Sequence, residues 1–233
     1  MPTIARYGVL LIALAGCAST PGKGTAPHAM SAAEHEAMAA RDERAATLHS
    51  EEVLLPCSPW PGPDDVCWTS RAQTTREHQA MAEQYARSAA AHRAASQALR
   101  DAEARECSGL SALDRDMDPF VHREDIVAVE RLEGGGTAEL PPHLQGAAVV
   151  FRAVPGMTTQ VLQRQVDCHR ARMAVLGHDA AEMRHSPLAP RNVTAVVTPR
   201  TTGFAVEMRS EHPDTAREIL RRAERLVHSA QQD

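Results

Sequence analysis

The stretch Pro56-Cys-Ser-Pro-Trp-Pro-Gly-Pro-Asp-Asp-Val-Cys-Trp68 divides the N-terminal half of the chain into two alanine-rich segments. Its closely spaced prolines interrupt any helix that enters it, because proline lacks the backbone N–H that a helix requires. The segments on either side contain no proline or glycine. The sequence therefore predicts an antiparallel helical hairpin over residues 31–108, with its turn in this loop.

The ends of both hairpin helices carry recognisable signals. The residues Ser31-Ala-Ala-Glu34 form a capping-box pattern, so the first helix is expected over about 32–53. The second helix is expected to run from a cap at Thr69 or Ser70 to about Cys107, where a Ser-Gly pair follows.

The C-terminal half of the chain alternates between strand-like and helix-like patterns. Strands are expected at 126–132, 147–153, 193–198 and 204–208, and helices at about 158–176 and 213–230. The order ββαββα predicts a two-layer α/β sandwich over 125–233, preceded by a linker at 109–124. We therefore expect an α+β protein, and the order of elements in its C-terminal half resembles a ferredoxin-like domain.

The first sixteen residues have the layout of a secretory signal peptide. Arg6 precedes an apolar run over 9–15 that is too short to cross a bilayer as a helix. The following Leu14-Ala15-Gly16-Cys17 resembles the lipobox of bacterial lipoproteins. The resemblance implies a signal peptide over 1–16, a lipid on Cys17 and a flexible tether over 17–30.

The residue after the lipobox cysteine bears on the destination of such proteins. In this family an acidic residue there favours the inner membrane, whereas this chain has Ala18. The resemblance thus implies an outer-membrane lipoprotein that faces the periplasm and reaches the membrane through its N-terminal lipid. The formal net charge of −5 argues against a nucleic-acid partner.

Four cysteines remain once Cys17 carries a lipid. An even number in an oxidising compartment predicts two disulfides, for which three pairings are open. Cys57 with Cys67 closes a short loop and is the most economical pair, which leaves Cys107 with Cys168.

A repeat joins the two hairpin helices. The segment Glu34-His-Glu-Ala-Met-Ala39 recurs 43 residues later as Glu77-His-Gln-Ala-Met-Ala82. Each helix thus carries a histidine, a methionine three residues later and a second histidine fourteen residues after the first. Because fourteen residues make about four helical turns, these side chains lie along one stripe.

Folding the hairpin about the centre of its loop brings the histidines into pairs. His35 is expected opposite His92, and His49 opposite His78, with Met38 and Met81 about one turn away. Imidazole and thioether donors suit copper, which is the one cofactor that the sequence suggests. Alternatively these residues fill the seam of an alanine-rich hairpin or face solvent.

A second set of soft donors lies in the third long helix and just after it. These residues are Cys168, His169, Met173 and His178. As an alternative, His169 is a hydrogen-bonded core residue and Cys168 is part of a disulfide. No hydrolase or metalloprotease motif occurs, so no catalytic residue is assigned and the chain is expected not to be an enzyme.

Two functional hypotheses follow. The first is a non-enzymatic envelope lipoprotein that acts as a structural or interaction module, with another envelope protein as its partner. The second is a periplasmic copper-binding protein that uses the paired His and Met residues of the hairpin.

Overall fold

The computed structural model describes residues 24–52, 66–135, 142–177 and 185–229. The helices are α1 (Ala32–Glu52), α2 (Val66–Glu106), α3 (Ala112–Asp116), α4 (Thr159–Leu176) and α5 (Pro213–Ser229). The strands are β1 (Ile126–Gly134), β2 (His143–Arg152), β3 (Thr194–Arg200) and β4 (Gly203–Arg209). The α+β class is confirmed: a long helical hairpin precedes a four-stranded antiparallel sheet with helices.

Helices α1 and α2 form the predicted hairpin. Its first cap is the expected capping box, in which the Ser31 backbone N–H donates to the Glu34 carboxylate at 2.7 Å and Glu34 N–H donates to Ser31 Oγ at 3.3 Å. Helix α2 begins at Val66, before the expected cap at Thr69 or Ser70. Nothing between the last proline of the loop and that cap opposes a helix, so α2 extends toward the loop.

The seam between α1 and α2 is built from small and polar side chains. On α1 the buried residues are Ala32, His35, Ala39 and Asp42, and on α2 they are Ala89, His92, Ala95, Ser96 and Leu99. Leu99 is the one large aliphatic side chain in that set. A hairpin with so little apolar area along its seam gains little from the hydrophobic effect, so polar contacts must contribute to its pairing.

The sheet has the strand order β1-β2-β4-β3, and every neighbouring pair is antiparallel. The element order ββαββα is the βαββαβ order of a ferredoxin-like domain with its last strand moved to the front. The expected order of elements is therefore correct, but the chain starts at a different strand from a ferredoxin-like domain.

One face of the sheet carries the main core. Val149 and Phe151 of β2 and Val206 and Met208 of β4 are buried there, together with apolar residues of α4 and α5. Helix α5 has the expected apolar face, which includes Ile219. Because α4 and α5 both supply side chains to this core, the C-terminal half is a two-layer sandwich.

The N-terminal strap and the end of α2 connect the hairpin to this sandwich. The strap is the short 3-10 helix Pro27–Ala29, which contacts α2. At the other side, Cys107 after α2 forms a disulfide with Cys168 of α4, which confirms this predicted pair. Cys57 and the side chain of Cys67 lie outside the described residues, as does Cys17.

Replacing Cys107 and Cys168 together by alanine should destabilise the protein. The bond closes a loop between residues 61 positions apart, and its loss should lower the free energy of unfolding by about 2–4 kcal/mol. Urea unfolding of the mature chain with Cys17 replaced by Ser measures the change. A double variant as stable as its parent would contradict a structural role for this crosslink.

Candidate metal centre

The hairpin brings together the four histidines that the repeat predicts. His35 Nδ1 lies 2.9 Å from His92 Nδ1, and His49 Nδ1 lies 3.0 Å from His78 Nδ1. The pairing expected from the centre of the loop is therefore the pairing observed. We call His35 and His92 the inner pair, because it is nearer the sandwich, and His49 and His78 the outer pair.

The inner pair is enclosed. His35 is 0% exposed and His92 is 2% exposed. His35 Nε2 lies 3.2 Å from the carbonyl oxygen of Pro27. A carbonyl accepts only, so His35 donates through Nε2 and offers the lone pair of Nδ1 to His92. Burial lowers the pKa of His92, and the nearby His35 lowers it further, which favours the neutral form of the His92 ring, the form that binds metal.

The outer pair is less enclosed. His49 and His78 are both half-buried. The ring of Tyr85 stacks on His49 with centroids 5.5 Å apart and an interplanar angle of 5°. This contact restricts the orientation of His49, while the half-buried position leaves room for solvent or a ligand to approach the pair.

The separation of the paired nitrogens matches one kind of coordination geometry. Two imidazole nitrogens bound at about 2.0–2.1 Å to one ion, at adjacent corners of a square, are about 2.9 Å apart. Tetrahedral angles at the same bond lengths require about 3.3 Å. The observed 2.9 and 3.0 Å are compatible with neighbouring positions of a square-planar or tetragonal ion such as Cu(II), and they are equally the length of a hydrogen bond between two imidazoles.

The two predicted thioether donors are placed less firmly. Met38 is half-buried on α1, and Met81 on α2 is 40% exposed. Each lies one helical turn from a histidine on its own helix. The contacts that define the candidate site are therefore those between the imidazoles.

The second predicted set of soft donors does not form a site. Cys168 is in the disulfide, so it offers no thiolate, and Met173 lies in the main core. His169 is 3% exposed and neither of its ring nitrogens has a hydrogen-bond partner. The prediction that His169 is a buried core residue is therefore confirmed. The prediction that its ring is hydrogen-bonded is wrong. His178 lies outside the described residues.

Two other features were not predicted from the sequence. His122, Glu124 and Asp125 place one ligand atom each within 4.8 Å of one another at the protein surface. The closeness of these three residues in the sequence could have predicted this cluster. The Asp125 carboxylate already forms an ion pair with Arg152 at 2.7 Å.

The second feature is a groove of about 1050 Å³ between the hairpin and the sandwich. Its lining comes from α2, α4, the strap and the ends of β2 and β4. Burial raises the pKa of Asp167 and lowers the pKa of Arg170, and Arg170 also donates to the Val193 carbonyl at 2.6 Å. Residues so dispersed in sequence gave no signal before the fold was known.

Comparison of the chain with protein-family models, with curated proteins and with solved structures gives no match. Within the described part of the chain, no helix has both the length and the apolar character needed to cross a membrane.

Replacing His169 by leucine should not destabilise the protein. Removing a buried polar group without a partner is expected to leave the free energy of unfolding unchanged or raise it by roughly 1 kcal/mol. Burial lowers the pKa of His169 in the folded state, so the unfolded state binds more protons in mild acid and the parent loses stability as the pH falls.

The leucine variant should lack that part of the acid sensitivity. Denaturant unfolding at about pH 7 and about pH 5 compares the two proteins. A variant that is several kcal/mol less stable than the parent at both pH values would show that His169 has a structural partner.

Proposed function

We propose that this protein is a lipid-anchored protein of the bacterial envelope whose helical hairpin binds copper through its two histidine pairs. The observation that carries the proposal is the approach of Nδ1 to Nδ1 in both pairs, at 2.9 and 3.0 Å. Had the histidines faced solvent, a repeat with the same spacing would have had no bearing on metal binding.

The composition of the seam supports the same proposal. Small residues allow α1 and α2 to approach closely, and the buried polar side chains on the seam provide donors in place of apolar contacts. An ion held between the helices would join them directly, and binding to the folded state alone would raise its stability. The lowered pKa of His92 also favours metal over protons at that ring.

Lipid anchoring remains a proposal that rests on the lipobox-like Leu14-Ala15-Gly16-Cys17. The Cys107–Cys168 disulfide supports an oxidising compartment, in which such bonds persist. Thioether and imidazole donors also survive in such a compartment, whereas free thiols are oxidised. An outer-membrane position facing the periplasm would agree with both features.

One observation favours a second function. In the inner pair, the two Nδ1 atoms lie within hydrogen-bond distance of each other, and His35 Nε2 lies within hydrogen-bond distance of the Pro27 carbonyl oxygen, so a hydrogen bond can satisfy the nitrogens that meet in the seam without an ion. On this basis the hairpin would be a self-contained spacer that presents an interaction surface to another envelope protein. Metal analysis separates the two functions.

Copper content should follow the histidine pairs. The mature chain with Cys17 replaced by Ser, loaded with Cu(II) and desalted, is expected to retain one copper ion for each intact pair. His35→Ala with His92→Ala should lose one ion, and so should His49→Ala with His78→Ala. Metal analysis by mass spectrometry and the visible absorption of the complex measure this.

A matched control is His185→Ala, which removes an exposed histidine outside the hairpin and outside the His122–Glu124–Asp125 cluster. This variant should retain the parent's copper, and all variants should keep the parent's circular dichroism. If neither the parent nor the control retains copper, the hairpin is a structural or interaction module.

Lipidation should depend on a single cysteine. Expression of the full chain in a bacterium grown with labelled palmitate should label the parent, and Cys17→Ser should abolish the label and release the protein from the membrane fraction. Cys57→Ser is the control and should keep the label. Membrane association of the Cys17→Ser protein would contradict a lipid anchor at this residue.

A further inference from the structure

Asp42 is an unusual residue of the hairpin seam. Within the described residues it is the one carboxylate-bearing residue in the buried class, with 4% exposure. It lies seven residues after His35 and seven before His49, so it is two helical turns from each pair on the same stripe of α1. It is therefore midway between the inner and outer pairs.

The surroundings of Asp42 offer little positive charge. Arg41 Nε lies 3.6 Å from Asp42 Oδ1, but the Arg41 side chain is 66% exposed and is screened by solvent. The negative charge of Asp42 does act on the inner pair, where it opposes the lowering of the His92 pKa. Asp42 thus places a negative charge in the seam whose ion-pair partner extends into solvent.

A cation bound in the seam would add a buried positive charge near Asp42. Neutral imidazoles bring no charge to an ion, so a Cu(II) ion held between two of them in a buried seam keeps its full charge and needs a nearby anion. Asp42 is too far along the helix to be a ligand, since seven residues rise by about 10 Å. It is near enough for a charge–charge interaction in a partly buried setting.

We propose that Asp42 is the shared counter-charge of both copper sites. This inference rests on the proposed function, because it assigns a role at the same sites. In this arrangement Asp42 makes the apo hairpin less stable and the copper-loaded hairpin more stable, so that one residue couples metal binding to the pairing of α1 with α2.

The test compares Asp42→Asn with its parent, the mature chain with Cys17 replaced by Ser. Copper affinity is measured by competition with a chromophoric chelator, and apo stability by urea unfolding. Asp42→Asn is expected to bind copper about tenfold more weakly at both pairs. Its apo form should be at least as stable as the parent, because an uncharged amide is less costly to bury.

Two further variants isolate the charge. Asp101→Asn removes an exposed carboxylate of α2 that accepts a hydrogen bond from Gln97, and it should leave copper affinity within about twofold of the parent. Asp42→Glu keeps the charge and should bind copper more tightly than Asp42→Asn. Asp101→Asn shows whether the total charge of the protein matters. Asp42→Glu shows whether the charge at position 42 matters when the side chain changes shape.

The outcomes are distinct. A parent that binds no copper overturns the proposed function and this inference with it. A parent and an Asp42→Asn variant that bind copper equally tightly overturn the inference alone. An apo Asp42→Asn protein that is markedly less stable than the parent, with unchanged affinity, would assign Asp42 a structural role instead.

Discussion

The approach of imidazole nitrogens across the seam between α1 and α2 sets the register of the whole N-terminal half. Apart from Leu99, the buried side chains of the seam are alanine, serine, aspartate and histidine, so few large side chains interlock in one alignment only. Two directional contacts four helical turns apart remove that freedom, because sliding either helix by one turn would separate both pairs. The midpoint of the pairs falls in the proline-rich part of the sequence, whose composition favours a turn.

Helix α2 connects the histidine pairs of the hairpin to the sandwich. This helix has 41 residues, about 60 Å of rise, and its C-terminal end is crosslinked to α4. Arg172 of α4 reinforces that junction by pairing with Glu103 and Asp116. On the other side, the strap accepts a hydrogen bond from His35 and another from Arg191 of the sandwich. The inner pair is therefore connected to both halves, whereas the outer pair lies about 21 Å further along α2.

Much of this arrangement could be predicted because it depends on local signals. Thr158 was expected to open α4, and its side chain accepts from the Val161 N–H. The histidine pairs followed from a repeat and a loop centre, which are properties of the sequence alone. The partnerless nitrogens of His169, the burial of Asp42 and the lining of the groove depend on which distant elements pack together. The strand order depends on long-range pairing, which local periodicity does not specify.

The buried histidines and aspartate of the seam reduce its apolar contacts, and the same side chains could interact with a cation. Large aliphatic residues in place of the histidines would bury more apolar area and stabilise the pairing of α1 and α2, but they would leave no donors. If the hairpin binds copper as proposed, positive charge in the seam would stabilise the carboxylate between the pairs. Folding and binding would then be linked through the same side chains that set the register of α1 and α2, so the stability of the hairpin would rise with the concentration of the metal.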